Sequence, residues 1–93
     1  MFQFYTVEIR KTHAGEFEHD VQWHWDDDAT LAQRKAEAKF HEILSRAAVS
    51  GDTYAEHSAI IFSEEGFPIA NACYKHEATA VAEAPEAAES QAE

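Results

Sequence analysis

Six histidines, His13, His19, His24, His41, His57 and His76, and one cysteine, Cys73, are the residues best suited to bind a metal or attack a bond. A transition-metal site gathers imidazole and thiolate ligands from closely spaced motifs. Such spacing is missing. No pair of histidines stands four residues apart, no HExxH occurs, and Cys73 has no second cysteine. His24 with Asp26, or His19 with a neighbour across a sheet, are the remaining ligand candidates. A nucleophilic role for Cys73 would need His57 or His76 as its base. In an extended strand His76 falls on the opposite parity from Cys73, so Cys73 is expected to be a small buried thiol. His41 follows Phe40 and is expected at the margin of a buried stripe, bonding a carbonyl or an acid. The expectation is therefore no catalytic residue, no cofactor and no metal: not an enzyme.

Carboxylates offer a different chemistry. Glu16, Glu18, Asp20, Asp26, Asp27, Asp28, Glu64 and Glu65 lie along strand-like runs and turns. Their simplest role is a solvated surface. Their alternative role is to imitate the phosphates of a nucleic acid inside a basic groove. Glu18, Asp20, Asp26, Asp27, Asp28, Glu64 and Glu65 are the candidate partner-binding residues for that role. Trp23, Trp25 and Phe17 could stack on bases, but the charge opposes it. Eighteen acids stand against seven bases, a net charge of −11. Phosphates would be repelled, so direct nucleic-acid binding is not expected, and basic protein partners are favoured. The pattern reads Trp23 as a core residue and leaves Trp25 part-exposed.

These side chains need elements to hold them. The stretch Asp28 to Ser50 is the only long helical pattern. Ala32, Ala36, Phe40, Ile43, Leu44 and Ala47 share one stripe at helical spacing. Arg34, Lys35, Glu37, Lys39, Glu42 and Arg46 take the wet face. Asp28 or Thr30 can cap the start, and Thr30 with Gln33 has capping-box spacing. Gly51 offers a left-handed end. An alanine-rich stripe suits close approach to a flat sheet.

Strands are expected on either side of the helix. Residues 2–11 alternate, with Tyr5, Val7 and Ile9 on one face. Thr12 to Gly15 is a turn, with Gly15 at positive φ. Residues 17–25 alternate most strictly, placing Phe17, His19, Val21, Trp23 and Trp25 together. Tyr54 to Ser63 and Phe67 to His76 form a second hairpin around Glu64-Glu65-Gly66. Pro68 cannot donate to a ladder, which puts the last strand at an edge. The fold class is α+β: a two-layer ββαββ unit, one four-stranded, mainly antiparallel sheet with one helix on one face. Residues 1–76 form the single domain, and 77–93 read as a disordered acidic tail. The inner sheet face is expected to hold Tyr5, Val7, Ile9, Phe17, Val21 and Trp23. Ile60, Ile61 and Phe62 are consecutive, so an apolar residue must face away from the helix. Phe2 and Phe4 are expected to join it on an open face that meets a partner, in the simplest case a second copy. No leader and no run of about 20 apolar residues is visible, so a cytoplasmic protein without membrane contact is expected.

The segment AEAKFHEIL, followed by SAIIFSEEG, resembles small proteins of unknown function encoded by phages and mobile elements of gut bacteria. Their pattern is a short hairpin, a helix with an Ala-x-x-x-Phe-His-x-x-Leu core, and a strand running into an acidic-Gly turn. Here that corresponds to Ala36, Phe40, His41, Leu44, Glu65 and Gly66. The likeness covers roughly residues 3–76; the paired tryptophans and the tail depart from it. It implies the fold and no activity. Taken together, these readings give a non-enzymatic protein-interaction module of phage or mobile-element type, a possible homodimer with an unidentified host partner. One alternative is an acidic nucleic-acid mimic inhibiting a CRISPR effector, a nuclease or a repressor. Another is a small metal-binding or hydrolytic enzyme.

Overall fold

A computed structural model describes residues 1–76; the acidic segment 77–93 lies outside the described residues. The chain runs Phe2–Thr12 (β1), Phe17–Asp26 (β2), Ala29–Ala47 (α1), Tyr54–Ser63 (β3) and Pro68–Lys75 (β4). The four strands make one antiparallel sheet in the order β2-β1-β3-β4. The ββαββ arrangement is as the sequence pattern predicts. Pro68 does open an edge strand. Beside it the register slips between Ile61 and Phe62.

Local chemistry sets the boundaries. Asp28 is the N-cap: its carboxylate accepts from the Leu31 N–H at 3.1 Å, satisfying one of the orphan donors of the first turn. Gly15 and Gly66 take φ of 92° and 93° in the two hairpin turns, a region that L side chains avoid. The helix ends differently from expectation. Its C-cap is Ala48 in right-handed geometry, and Gly51 does not have positive φ. Histidines hold that end instead. His76 Nε2 donates to the Ala47 carbonyl at 2.8 Å and His13 Nε2 to the Gly51 carbonyl at 2.7 Å.

The face of the sheet under the helix is the opposite of the one expected. Thr6 and Glu8 of β1, His24 of β2, and His57, Ala59 and Ile61 of β3 are the buried positions. Against them lie Ala32, Ala36, Phe40, Ile43 and Ala47 of α1. Tyr5, Val7, Ile9, Phe17, Val21 and Trp23 therefore line the far face and do not enter this core. The correction extends to Phe4, which packs against the core cluster on the helix side, and to Phe2, which shares its parity. Neither belongs to the open face. The helix contacts the sheet largely through alanines, and its bulk is confined to Phe40, Ile43 and the half-buried Leu44. Such a stripe approaches closely and leaves no depth for a layer of aromatic rings.

Candidate functional site

Register alone lays out the open face as rows across the sheet. Trp23, Tyr5, Phe62 and Pro68 form one row; Val21, Val7, Ile60 and Asn71 the next. Then come His19, Ile9, Ser58 and Cys73, and finally Phe17, Lys11, Glu56 and Lys75. Tyr5 is the centre of an aromatic stack, 4.6 Å from the Trp23 ring and 5.0 Å from Phe62. Phe17 is 67% exposed, Trp25 55% and Trp23 44%. The β2 half of the face thus projects large rings into solvent. The β3–β4 half is hollow: Ile60, Phe62, Pro68, Asn71 and Cys73 line a shallow, mostly apolar depression of about 430 Å³. Side chains at outward positions of the four strands are charged only in the last row, where Lys11 and Lys75 flank Glu56. Isolated exposed apolar residues need no explanation, but here the exposed rings are contiguous on one face.

The covered face holds the ionic chemistry. Glu8 Oε2 accepts from His57 Nε2 at 2.6 Å, Arg10 at 3.1 Å and Arg46 at 3.3 Å. Burial works to raise the Glu8 pKa; the His57 hydrogen bond, then Arg46 and Arg10, outweigh it and hold the carboxyl below its ordinary range. Arg10 is held charged in turn: burial opposes, but Asp20, Glu18 and Glu8 push its pKa up. His24 shares a 3.1 Å hydrogen bond with the Thr6 hydroxyl. Burial, then Lys39 and Lys35, lower its pKa and favour the neutral ring.

Ser50, His57 and Glu8 have the connectivity of a hydrolytic triad, with Ser50 Oγ 2.9 Å from His57 Nδ1. No local pattern announces it, since 49 residues separate Glu8 from His57. Its surroundings make it structural. Glu8 is already shared with two arginines, the His57 ring is buried, and Ser50 Oγ also donates to the Ala47 carbonyl at 3.0 Å, as a helix-end cap does. The cleft of about 310 Å³ beside Glu8 is lined by Thr6, Asp20, Gln22 and Lys39 and does not reach Ser50. Its charged liners are paired, Asp20 with Arg10 at 2.7 Å and Lys39 with Glu42 at 3.6 Å. Among the described residues no three of His, Cys, Asp or Glu are placed to hold a metal ion. His24 and His19 lie on opposite faces of β2. Cys73, expected to be buried, is exposed on the open face. Burial of its sulfur and then Glu56, against Lys75, raise its pKa, so the thiol stays protonated and poorly nucleophilic.

The acidic set is divided by the sheet. Asp26, Asp27 and Asp28 sit at the end where β1 begins, and the turn carrying Glu64 and Glu65 follows Ser63 at that same end, since Phe2 pairs with Asp26 and Phe4 with Ser63. Glu18 and Asp20 lie towards the other end and are tied to Arg10. Asp26 pairs with Lys35 at 3.1 Å, and Asp28 is used as the cap. Four of the seven carboxylates are therefore engaged within the chain.

The sequence matches no protein-family model, no curated protein and no solved structure. No helix among the described residues is long and apolar enough to cross a membrane.

Proposed function

We propose that this chain is a non-enzymatic protein-interaction module that works through the open face of its sheet. The supporting observation is the inversion of the sheet. Thr6, Glu8, His24 and His57 are sealed under the helix, while Val21, Trp23 and Trp25 are exposed on the far face beside the half-buried Tyr5 and Phe62. Apolar burial supplies most of the driving force of association, and this face groups Phe17, Val21, Trp23 and Trp25, four of the large exposed apolar side chains, on one strand. The occupant it suits is a flat apolar protein surface with mixed charge at one end. A nucleic-acid strand suits it poorly, because a stacking platform also needs a cationic groove and only Lys11 and Lys75 stand there, on a chain of −11. The resemblance to phage and mobile-element proteins fits this role, and a cytoplasmic setting goes with it. The acidic-mimic reading is weaker, because Glu18, Asp20, Asp26 and Asp28 already have partners.

The test places a photo-crosslinking p-benzoylphenylalanine at position 25 on the open face, and separately at position 42 on the outer face of the helix, in cells making the full chain. The expected result is a discrete protein adduct from position 25. It should form even in lysate held at about 1 M salt, where exposed charges are screened within roughly 3 Å. Trp23→Asp should abolish it. No adduct from position 25 overturns the reading. An adduct from position 42 alone, lost in salt, replaces it with the electrostatic one.

A further inference from the structure

The open face is complementary to itself in one orientation, and we infer that its occupant is a second copy of this chain, stacked face to face about a two-fold axis that runs along the strands between β1 and β3. This rests on the docking role just proposed and names the partner. Four strands at about 4.8 Å spacing and some nine residues at about 3.4 Å give a face on the order of 600 Å². Two such faces bury roughly 1,200 Å², the lower bound for a specific interface.

The orientation follows from the rows. An axis parallel to the strands keeps each row in place and exchanges the halves of the sheet, so β2 lies over β4 of the second copy and β1 over β3. Trp23 then stands over Pro68 and enters the depression of the β3–β4 half, and projection meets hollow twice. In the charged row Lys11 comes over Glu56 of the second copy, and Glu56 over its Lys11. The other face-to-face two-fold, across the strands, places β2 over β2. It sets ring against ring, hollow against hollow, and the charged row against uncharged positions near the far end. Only the first orientation satisfies shape and charge together. It also leaves the helices and most carboxylates on the outside of a two-sheet sandwich, spaced about 10 Å apart at the centre.

Charge reversal tests it. The full chain should sediment as a dimer at ~100 µM and dissociate on dilution. Lys11→Glu and Glu56→Lys should each weaken that dimer about tenfold or more, because like charges then face each other twice. Mixing the two variants should restore association as a heterodimer, since both trans pairs become opposite in sign. The same substitutions also set like charges side by side within each chain, so folding is checked by far-UV circular dichroism. A second variant avoids that question: His19→Cys should form a disulfide with Cys73 of the second copy. Within one chain these positions are separated by three strand spacings, about 14 Å, beyond the roughly 7 Å limit for a disulfide. Inter-sheet disulfides across such sandwiches are known in immunoglobulin domains. A chain monomeric at every concentration overturns the inference, as does a mixture that does not associate, or oxidation that yields no 19–73 peptide pair. An adduct between position 25 and a different protein, with the chain itself monomeric, would overturn the second copy while leaving the docking role standing.

Discussion

The two faces of this sheet differ in the reverse of the usual sense. Beneath the helix lie a carboxylate, two imidazoles and a hydroxyl, with Ala59 and Ile61 among them. On the other side lie the rings of Tyr5, Phe17, Trp23, Trp25 and Phe62. The buried polar groups have partners: Glu8 with His57, Arg10 and Arg46, and His24 with Thr6. A satisfied polar network of this kind tolerates burial, whereas a half-satisfied one is costly. The lesson is that hydrophobic alternation divides a strand into two sets of residues without saying which set the helix will cover. Here the alanine stripe fits over the smaller set, and the larger set is left on the open face.

The largest effects should come from the covered side. Phe40→Ala removes the main bulk of the helix stripe and should lower stability by about 3–5 kcal/mol in urea unfolding. Glu8→Ala leaves His57 and two arginines without their shared acceptor and should lower it by about 3 kcal/mol, the half-exposed Arg46 keeping the loss at the low end. A comparable loss from Tyr5→Ala in dilute protein, with Glu8→Ala neutral, would reverse the assignment of faces.

Acid should act through the same covered groups, with a smaller effect. His24 has a folded pKa below its ordinary 6.5. The unfolded chain therefore takes up that proton first, and stability falls as pH drops below about 6.5. Glu8 has a folded pKa below its ordinary 4.5. Its contribution is full above that value and is lost as pH falls further. Unfolding free energy measured from pH 8 to pH 3 should thus decline in two stages, and His24→Gln should remove the first. The smallest effect belongs to the open side: Val21→Thr should change the stability of dilute protein by no more than about 0.5 kcal/mol, yet weaken association at high concentration. Equal effects at both concentrations would contradict a docking role for Val21.

Much of the framework was legible because its signals are local. Asp28 capped the helix, Gly15 and Gly66 turned the hairpins, and Pro68 marked an edge. The grouping of Phe17, Val21, Trp23 and Trp25 on one face was also legible from alternation. What could not be read was the side of the sheet to which α1 returns. That choice is stabilised by pairs far apart in the chain, 38 residues for Glu8 and Arg46 and 49 for Glu8 and His57. No short-range pattern reports them. The common rule for a half-buried sheet puts Tyr5 and Trp23 in the core, and it fails here because the covering stripe is mostly alanine. Cys73 is expected to be buried because a lone thiol commonly is; it is exposed because Ser58, its partner across the ladder, is on the open face.

Pro68 and the slipped register beside it have a consequence for concentrated solution. One border of the sheet opens on Pro68, which has no N–H to donate, and the other carries the ion-paired Glu18 and Asp20, charged side chains of the kind that blunt an edge strand. Neither margin accepts another ribbon readily, so lateral growth into filaments is obstructed. Face-to-face closure, which consumes the sticky surface in a single step, is the route left open, and the solution should stop at finite particles rather than thicken into fibrils.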